Sequence, residues 1–372
     1  MGIGGAERST AELWYHLRSE GLDFAVVALR NEPNGLQKEV LDSGVKVIFL
    51  PSENFFVGLF FLIRLIRREK PTIVHSVLFK SNLRARFAKL FCPFFFHLES
   101  LVSERYSRER TADKNVNRVA LIIYKLMDRL TSKFLVHEFV SVTESVKQHY
   151  IENLSIKPKK IRTIYRGRKP NMFIEQRNIL KDKLMTDLRI KPGSVLMIAL
   201  GRQDFPKGYI YLLEAVAMLV KSRPNIRLLL AGRDGTSTPE LWRFVRDHHL
   251  QDSVSFLGNR TDVYELLAAS DIFVSSSVYE GLSGAVIEAL ASGLPIISSD
   301  LAGLREVMTE ENALFVPPKS GKAIAGAVEY LLNNSQRLSE MGEKNLALFK
   351  RSFLVEKMNH AFVNLYRSMA TR

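Results

Sequence analysis

Residues 275–300 read SSSVYEGLSGAVIEALASGLPIISSD, and their order decides the architecture. An apolar strand ends at Ser276, a turn carries Glu280-Gly-Leu-Ser-Gly284, small residues spell a helix over Ala285–Ala291, and a new apolar run starts at Pro295. Strand, glycine turn and helix in that order make one unit of a parallel sheet. The first turn of the helix leaves backbone amides open, which suits a phosphate or a sugar oxygen. Gly281 and Gly284 let the backbone come close to such a ligand. Glu288 follows one turn later, about 6 Å along the axis. That is the step from a nucleotide's phosphates to its ribose, whose hydroxyls a carboxylate accepts. Glu280, on the turn itself, meets whatever lies beyond the phosphates. The plainer reading of these carboxylates is capping and surface charge.

The same alternation extends in both directions. Strand candidates fall at Phe24–Leu29, Val45–Leu50, Thr72–Val77, Phe94–Leu101, Phe139–Thr143 and Ile161–Tyr165. Six more follow at Val195–Leu200, Ile226–Ala231, Val254–Leu257, Ile272–Ser276, Pro295–Ser299 and Ala313–Val316. Most are continuous apolar runs, as expected of strands covered on both faces. Two doubly wound α/β sheets follow, which also fits a chain of 372 residues. The charged stretch 166–192, with prolines at both ends, marks the seam. The expected domains are 1–170, 171–350 and a terminal helical segment 351–372. At the other end the chain opens on a glycine loop, Gly2-Ile-Gly-Gly-Ala-Glu7, with no strand ahead of it. Either the start is misplaced or the sheet lacks one strand.

A second chemical window, Gly201-Arg-Gln-Asp-Phe-Pro-Lys-Gly208, lies just past the first strand of the second set. Ligands of open α/β sheets sit at the carboxyl ends of strands, so Arg202 and Lys207 are placed to meet one. A planar Arg fork and a Lys point charge suit a diphosphate and stabilise it as a leaving group.

Composition narrows the partners. Of the net charge of +14, residues 1–169 carry +12, from 29 Lys and Arg against 17 Asp and Glu. A basic domain meets nucleic acid, an anionic membrane surface or an anionic substrate. The basic residues are scattered and no zinc spacing or RNP-like run occurs, which argues against nucleic acid. Cys92 is the single cysteine, so no internal disulfide can form, and the chain leans cytosolic. The most apolar run, Phe55–Ile66, is interrupted by Arg64 and is too short for a span of about 20 residues. It reads as a half-buried helix packed on a sheet.

The motifs resemble those of the retaining glycosyltransferases of family 4, also called group 1, which have the GT-B fold. Glu280 and Glu288 match the family's Glu-x7-Glu motif, and Gly201-Arg202 with Lys207-Gly208 match its Gly-Arg…Lys-Gly motif. Leu228-Leu-Leu-Ala-Gly232, Val254-Ser-Phe-Leu-Gly258, Gly4-Gly-Ala-Glu7 and Ile73-Val-His-Ser add to the likeness, which runs the length of the chain. The resemblance implies two Rossmann-like domains facing a cleft, and a terminal helix returning to the first of them. Arg202, Lys207 and Glu280 would act at the donor diphosphate and sugar. Gly281, Leu282, Ser283 and Gly284 would offer amides, and Glu288 would hold the ribose. Leu257, Gly258, Asn259 and Arg260 would lie beside the base, and Gly4 and Gly5 would approach the distal phosphate. It implies no metal and no cofactor, only a UDP- or GDP-linked sugar as donor.

The acceptor side departs from the family pattern. Relatives carry a histidine at the end of the fourth strand of the first domain, where Val102 or Ser103 stands here. His97, a few residues earlier, is an acceptor-side candidate beside Arg105 and Arg108, although a buried structural histidine is the plainer reading. The seam reads Tyr165-Arg-Gly-Arg-Lys where relatives have an Asn-Gly turn. The expectation is a glycosyltransferase of cell-surface polysaccharide or lipopolysaccharide synthesis, cytoplasmic or peripheral on the inner face of the membrane, working on a glycan or lipid-linked acceptor. Residues 55–70 and 105–118 would form its membrane-facing surface. The alternatives are a non-catalytic sugar-binding relative and, further off, a nucleic-acid binder.

Overall fold

A computed structural model describes residues 2, 4–32 and 35–371, and the chain divides into two compact units. Unit 1 comprises residues 1–167 and 355–372; unit 2 comprises residues 168–354.

Unit 1 opens on helix α1 (Gly5–Ser19), with no strand ahead of it among the described residues. Strands β1 (Val26–Ala28) and β2 (Val47–Phe49) pair in parallel around α2 (Gln37–Asp42). Helix α3 (Phe55–Glu69) starts where Asn54 Oδ1 accepts from the amides of Phe56 and Val57. It then turns Leu59, Leu62 and Ile66 inward against Ala88, Cys92 and Phe95. A four-stranded parallel sheet follows, β3 (Ile73–Val77), β4 (Phe96–Leu101), β5 (Glu138–Ser141) and β6 (Ile161–Thr163), with neighbours in chain order. Helix α4 (Phe79–Phe91) joins the first two strands and touches both α3 and α6. The short α5 (Arg108–Thr111) and the long α6 (Arg118–Leu135) join β4 to β5, and α7 (Glu144–Leu154) joins β5 to β6.

Unit 2 begins with α8 (Arg177–Asp187) and holds one six-stranded parallel sheet. Its strands are β7 (Val195–Leu200), β8 (Ile226–Ala231), β9 (Val254–Gly258), β10 (Ile272–Ser275), β11 (Ile296–Ser299) and β12 (Ala313–Val316). They lie side by side in the order β12-β11-β10-β7-β8-β9. The helices between them are α9 (Tyr209–Ser222), α10 (Thr238–Asp247), α11 (Val263–Ala269), α12 (Gly284–Ala291) and α13 (Ala302–Arg305). Helices α14 (Gly321–Asn333) and α15 (Ser335–Ser352) complete the unit. From β7 the chain proceeds outward through β8 and β9, and from β10 it proceeds the opposite way through β11 and β12. Neighbouring strands whose continuations diverge open a crevice at their carboxyl ends, the usual ligand position of such sheets. Here that crevice lies between β7 and β10. Leu196, Ile198, Phe273 and Ile296 are completely or almost completely buried, as strands covered on both faces require.

The last helix, α16 (Val355–Ala370), belongs to unit 1. Its Met358, Phe362 and Val363 pack with Leu13 of α1, Leu98 of β4 and Val140 of β5.

Candidate active site

The two sequence windows emerge at the β7–β10 crevice and are stitched together there. Beyond β7 the chain makes a short 3-10 turn, Phe205–Lys207, and reverses at Gly208. Gly208 has φ +60°, and a Cβ there would stand 2.1 Å from the Ser276 carbonyl, so the position admits only glycine. The close approach is used: Ser276 Oγ donates to the Lys207 carbonyl at 2.9 Å, and the Val278 amide to the Pro206 carbonyl at 2.8 Å. Lys207 is thereby fixed beside the turn after β10, and its Nζ donates to Glu280 Oε2 at 2.5 Å. Tyr209 lies buried behind the pair, its phenol held protonated by burial and by the charge on Glu280.

Helix α12 then starts at Ser283 with no side chain capping its first turn. A buried helix start without a cap is an anion-binding position. Glu288, one turn in, does not stand alone. Its Oε1 accepts from Arg168 Nε at 2.8 Å, both side chains being buried. The same guanidinium lies over the helix start, for a Cβ on Gly284 would stand 2.2 Å from Arg168 Nη2. The backbone of Arg168 is fastened by its amide to the Phe353 carbonyl at 2.8 Å. Three residues on, Asn171 Nδ2 donates to Ser292 Oγ at 2.8 Å, and that hydroxyl donates to the Glu288 carbonyl at 2.8 Å. The segment behind the seam thus reaches both ends of α12.

The predicted residues therefore separate into three ion pairs. Lys207 meets Glu280, Glu288 meets Arg168, and Arg202, half exposed, meets Asp204. Gly281, Leu282, Ser283 and Gly284 form the buried turn that feeds α12. On the base side, Leu257 and Gly258 end β9, Asn259 is exposed, and Arg260 forks onto Asp262 through Nε at 2.8 Å, holding that carboxyl below its usual range. Arg168 is the residue the sequence reading missed. The basic run at the seam was its only trace.

In unit 1, Gly4 caps α1 and Gly5 opens it, with Arg166 Nη1 3.5 Å from where a Gly5 Cβ would be. His97 requires a correction. It is completely buried, with Nε2 against Ser76 Oγ at 2.9 Å and Nδ1 against the Leu135 carbonyl at 3.1 Å, so it is a packing residue out of a ligand's reach. Burial brings it down to about 3, hence neutral. The histidine beside a cavity is His75, which joins Tyr366 and Ser100 hydroxyls at 2.7 and 2.8 Å. That cavity, about 40 Å³, is also lined by Ser9, Thr10 and Arg166. Arg105 lies over the Phe79 ring at 4.6 Å, while Arg108 is exposed on α5.

Comparison with known proteins gives the family and the fold. The profile described as "Glycosyl transferases group 1" matches residues 181–347, and that described as "Glycosyltransferase Family 4" matches residues 3–171. The N,N'-diacetylbacillosaminyl-diphospho-undecaprenol alpha-1,3-N-acetylgalactosaminyltransferase of Campylobacter jejuni is 30% identical over 315 residues, 80% of each chain. The UDP-Gal:alpha-D-GlcNAc-diphosphoundecaprenol alpha-1,3-galactosyltransferase of Escherichia coli is 26% identical over 315 residues, 81% of this chain and 77% of its own. Among solved structures, Anabaena HepE in complex with UDP and glucose superimposes with a TM-score of 0.85 at 16% identity, covering 98% of this chain and 96% of its own. WaaG, a glycosyltransferase involved in lipopolysaccharide biosynthesis, does so with a TM-score of 0.75 at 15% identity, covering 97% and 96%. The chain belongs to the group 1 glycosyltransferases, family 4, and has their GT-B fold.

Proposed function

We propose that the protein transfers a sugar, with retention of anomeric configuration, from a nucleoside-diphosphate donor to a lipid-linked or lipopolysaccharide-type glycan at the inner face of the membrane. The observation that carries this reading is the meeting of Lys207 and Glu280 beside the uncapped start of α12, with Glu288 one turn further in. The donor diphosphate takes the amides at that start and the charges of Lys207 and Arg202. Its ribose takes Glu288, which Arg168 holds in place. UDP is favoured as the nucleotude's carrier form because HepE, the similar fold, binds UDP with glucose. The lipid-linked acceptor rests on two relatives that each align with about four-fifths of this chain and are named for diphosphoundecaprenol-linked acceptors.

In the reaction the bond from the anomeric carbon to the donor phosphate breaks, and a bond to the acceptor hydroxyl oxygen forms on the same face. The acceptor proton passes to the departing phosphate oxygen. Charge growing on that oxygen is met by Lys207, Arg202 and the helix amides, groups already oriented before the reaction, which is where such stabilisation is largest. Side-chain cations thus take the part that a resident metal has in other transferases.

The test is incubation of the pure protein with UDP- and GDP-sugars and an undecaprenyl-diphosphate-linked sugar, followed by analysis of the lipid. A new α-linked sugar on the lipid is expected. Binding of nucleoside diphosphates without turnover of any nucleotide sugar would reduce the protein to a non-catalytic relative.

A further inference from the structure

Helix α6 is built the opposite way round from an ordinary surface helix. Beside Leu121, its inward face carries a buried polar network. Asp128 binds the buried Arg86 at 2.6 Å, Thr131 takes a second bond from the same guanidinium, and Ser132 is completely buried. Arg86 also forks onto Glu99 of β4, and Tyr106 donates to Asp128. The outward face is apolar. Val119, Ile122, Ile123, Leu126, Leu130 and Phe134 follow helical spacing and fall on one stripe, opposite Leu121, Asp128 and Ser132. All six are exposed, Ile122 to 69% and Phe134 to 75%. A soluble surface rarely shows so long an apolar strip without a use for it.

The charge beside the stripe names the occupant. Arg129 and Lys133 are exposed along it, and α6 carries no acidic residue except the buried Asp128. Beyond α4, on the other flank, α3 turns Phe56 and Phe60 outward together with Arg64, Arg67 and Arg68. Apolar side chains level with Lys and Arg are the pattern of a helix lying in the headgroup region of an anionic bilayer. A second copy of the chain would set cations against cations.

We infer that α6 is the membrane-docking element of unit 1, seated with its apolar stripe in the acyl boundary of an anionic leaflet, with α3 as a second contact. Of the two segments the sequence suggested for that surface, 55–70 is kept as α3, and α6 starts where the second, 105–118, ends; Arg105 of that segment lies over Phe79. The inference deepens the lipid-linked reading, yet it is read out by vesicle binding alone and can fail while donor binding persists.

The experiment is flotation of the full chain with phosphatidylcholine vesicles, with and without phosphatidylglycerol, at low salt. The wild type is expected to float with the anionic vesicles. A triple variant, Ile122→Gln, Leu126→Gln and Leu130→Gln, should lose roughly tenfold in bound fraction as its buried apolar area goes, with an unchanged melting temperature and an intact stabilisation by UDP. A control altered at exposed apolar positions of unit 2, Met172→Gln with Ile179→Gln, should float as the wild type does. Undiminished flotation of the triple variant would overturn the inference. So would a wild type that ignores the vesicles, or one that forms a stable dimer which the triple variant dissociates while vesicle binding is absent.

Discussion

At the scale of single residues, the three ion pairs differ in what their loss should do. Lys207 is held by its neighbours' backbone bonds beside Glu280, so Lys207→Ala should lower kcat/KM about 10²- to 10³-fold, as for one preoriented donor. Arg202 is 54% exposed and already shared with Asp204, so Arg202→Ala should have a smaller effect, about tenfold. Steady-state kinetics with saturating acceptor would rank them, and the reverse order would remove Lys207 from its role. Arg168 and Gly284 invite a double-mutant cycle. An alanine at 284 pushes a methyl into the guanidinium that steadies Glu288, so Gly284→Ala and Arg168→Ala should each weaken UDP binding. Together they should do little more than Arg168→Ala alone, since neighbours that share one interaction are not additive. Full additivity in UDP titrations would show that the alanine at 284 does not act through Arg168. Glu280, Glu288, Lys207 and Arg202 could be proposed from the sequence because the spacing within each motif is local. Arg168 was hidden because its partner stands 120 residues away, and nothing in a run of seam arginines says which one turns inward.

At the scale of elements, all twelve strand candidates appear as strands, since short β-branched runs flanked by turns fix their existence. Their phase was harder. In a strand buried on both faces, periodicity does not say which face a residue takes, so His97 and His75 could not be told apart by sequence. The roll of α6 was equally hidden, because an apolar stripe on a helix ordinarily faces the core. Here the stripe faces out because Arg86 claims the other side. Arg86→Ala should therefore cost about 3–5 kcal/mol of unfolding free energy, for it leaves Glu99 and Asp128 buried without their cation. Urea denaturation of unit 1 reports it, and a loss below about 1 kcal/mol, the size of an exposed pair, would mean the network is idle.

For the whole molecule, acid should strike unit 1 first. Burial brings His75 to about 4 and His97 to about 3, against about 6.5 in an unfolded chain. Between those limits the unfolded state binds protons that the folded state refuses, so stability falls as pH falls through 6.5. At pH 5 each histidine should cost about 2 kcal/mol relative to pH 7. Melting curves across this range should show it, and His75→Gln should flatten the slope. Chelator should leave turnover unchanged if side chains alone hold the donor phosphates; loss with EDTA and recovery with a divalent cation would contradict that assignment.

The placement of α16 bears on how the chain is made. Unit 2 is one uninterrupted stretch, 168–354, whereas the core of unit 1 needs Met358, Phe362 and Val363 from beyond it. During synthesis residues 1–167 emerge before 355–370 and must wait, incompletely packed, until that helix leaves the ribosome, so unit 2 can finish first. A nascent chain stalled near residue 350 should resist protease over 168–350 while its earlier portion is still digested.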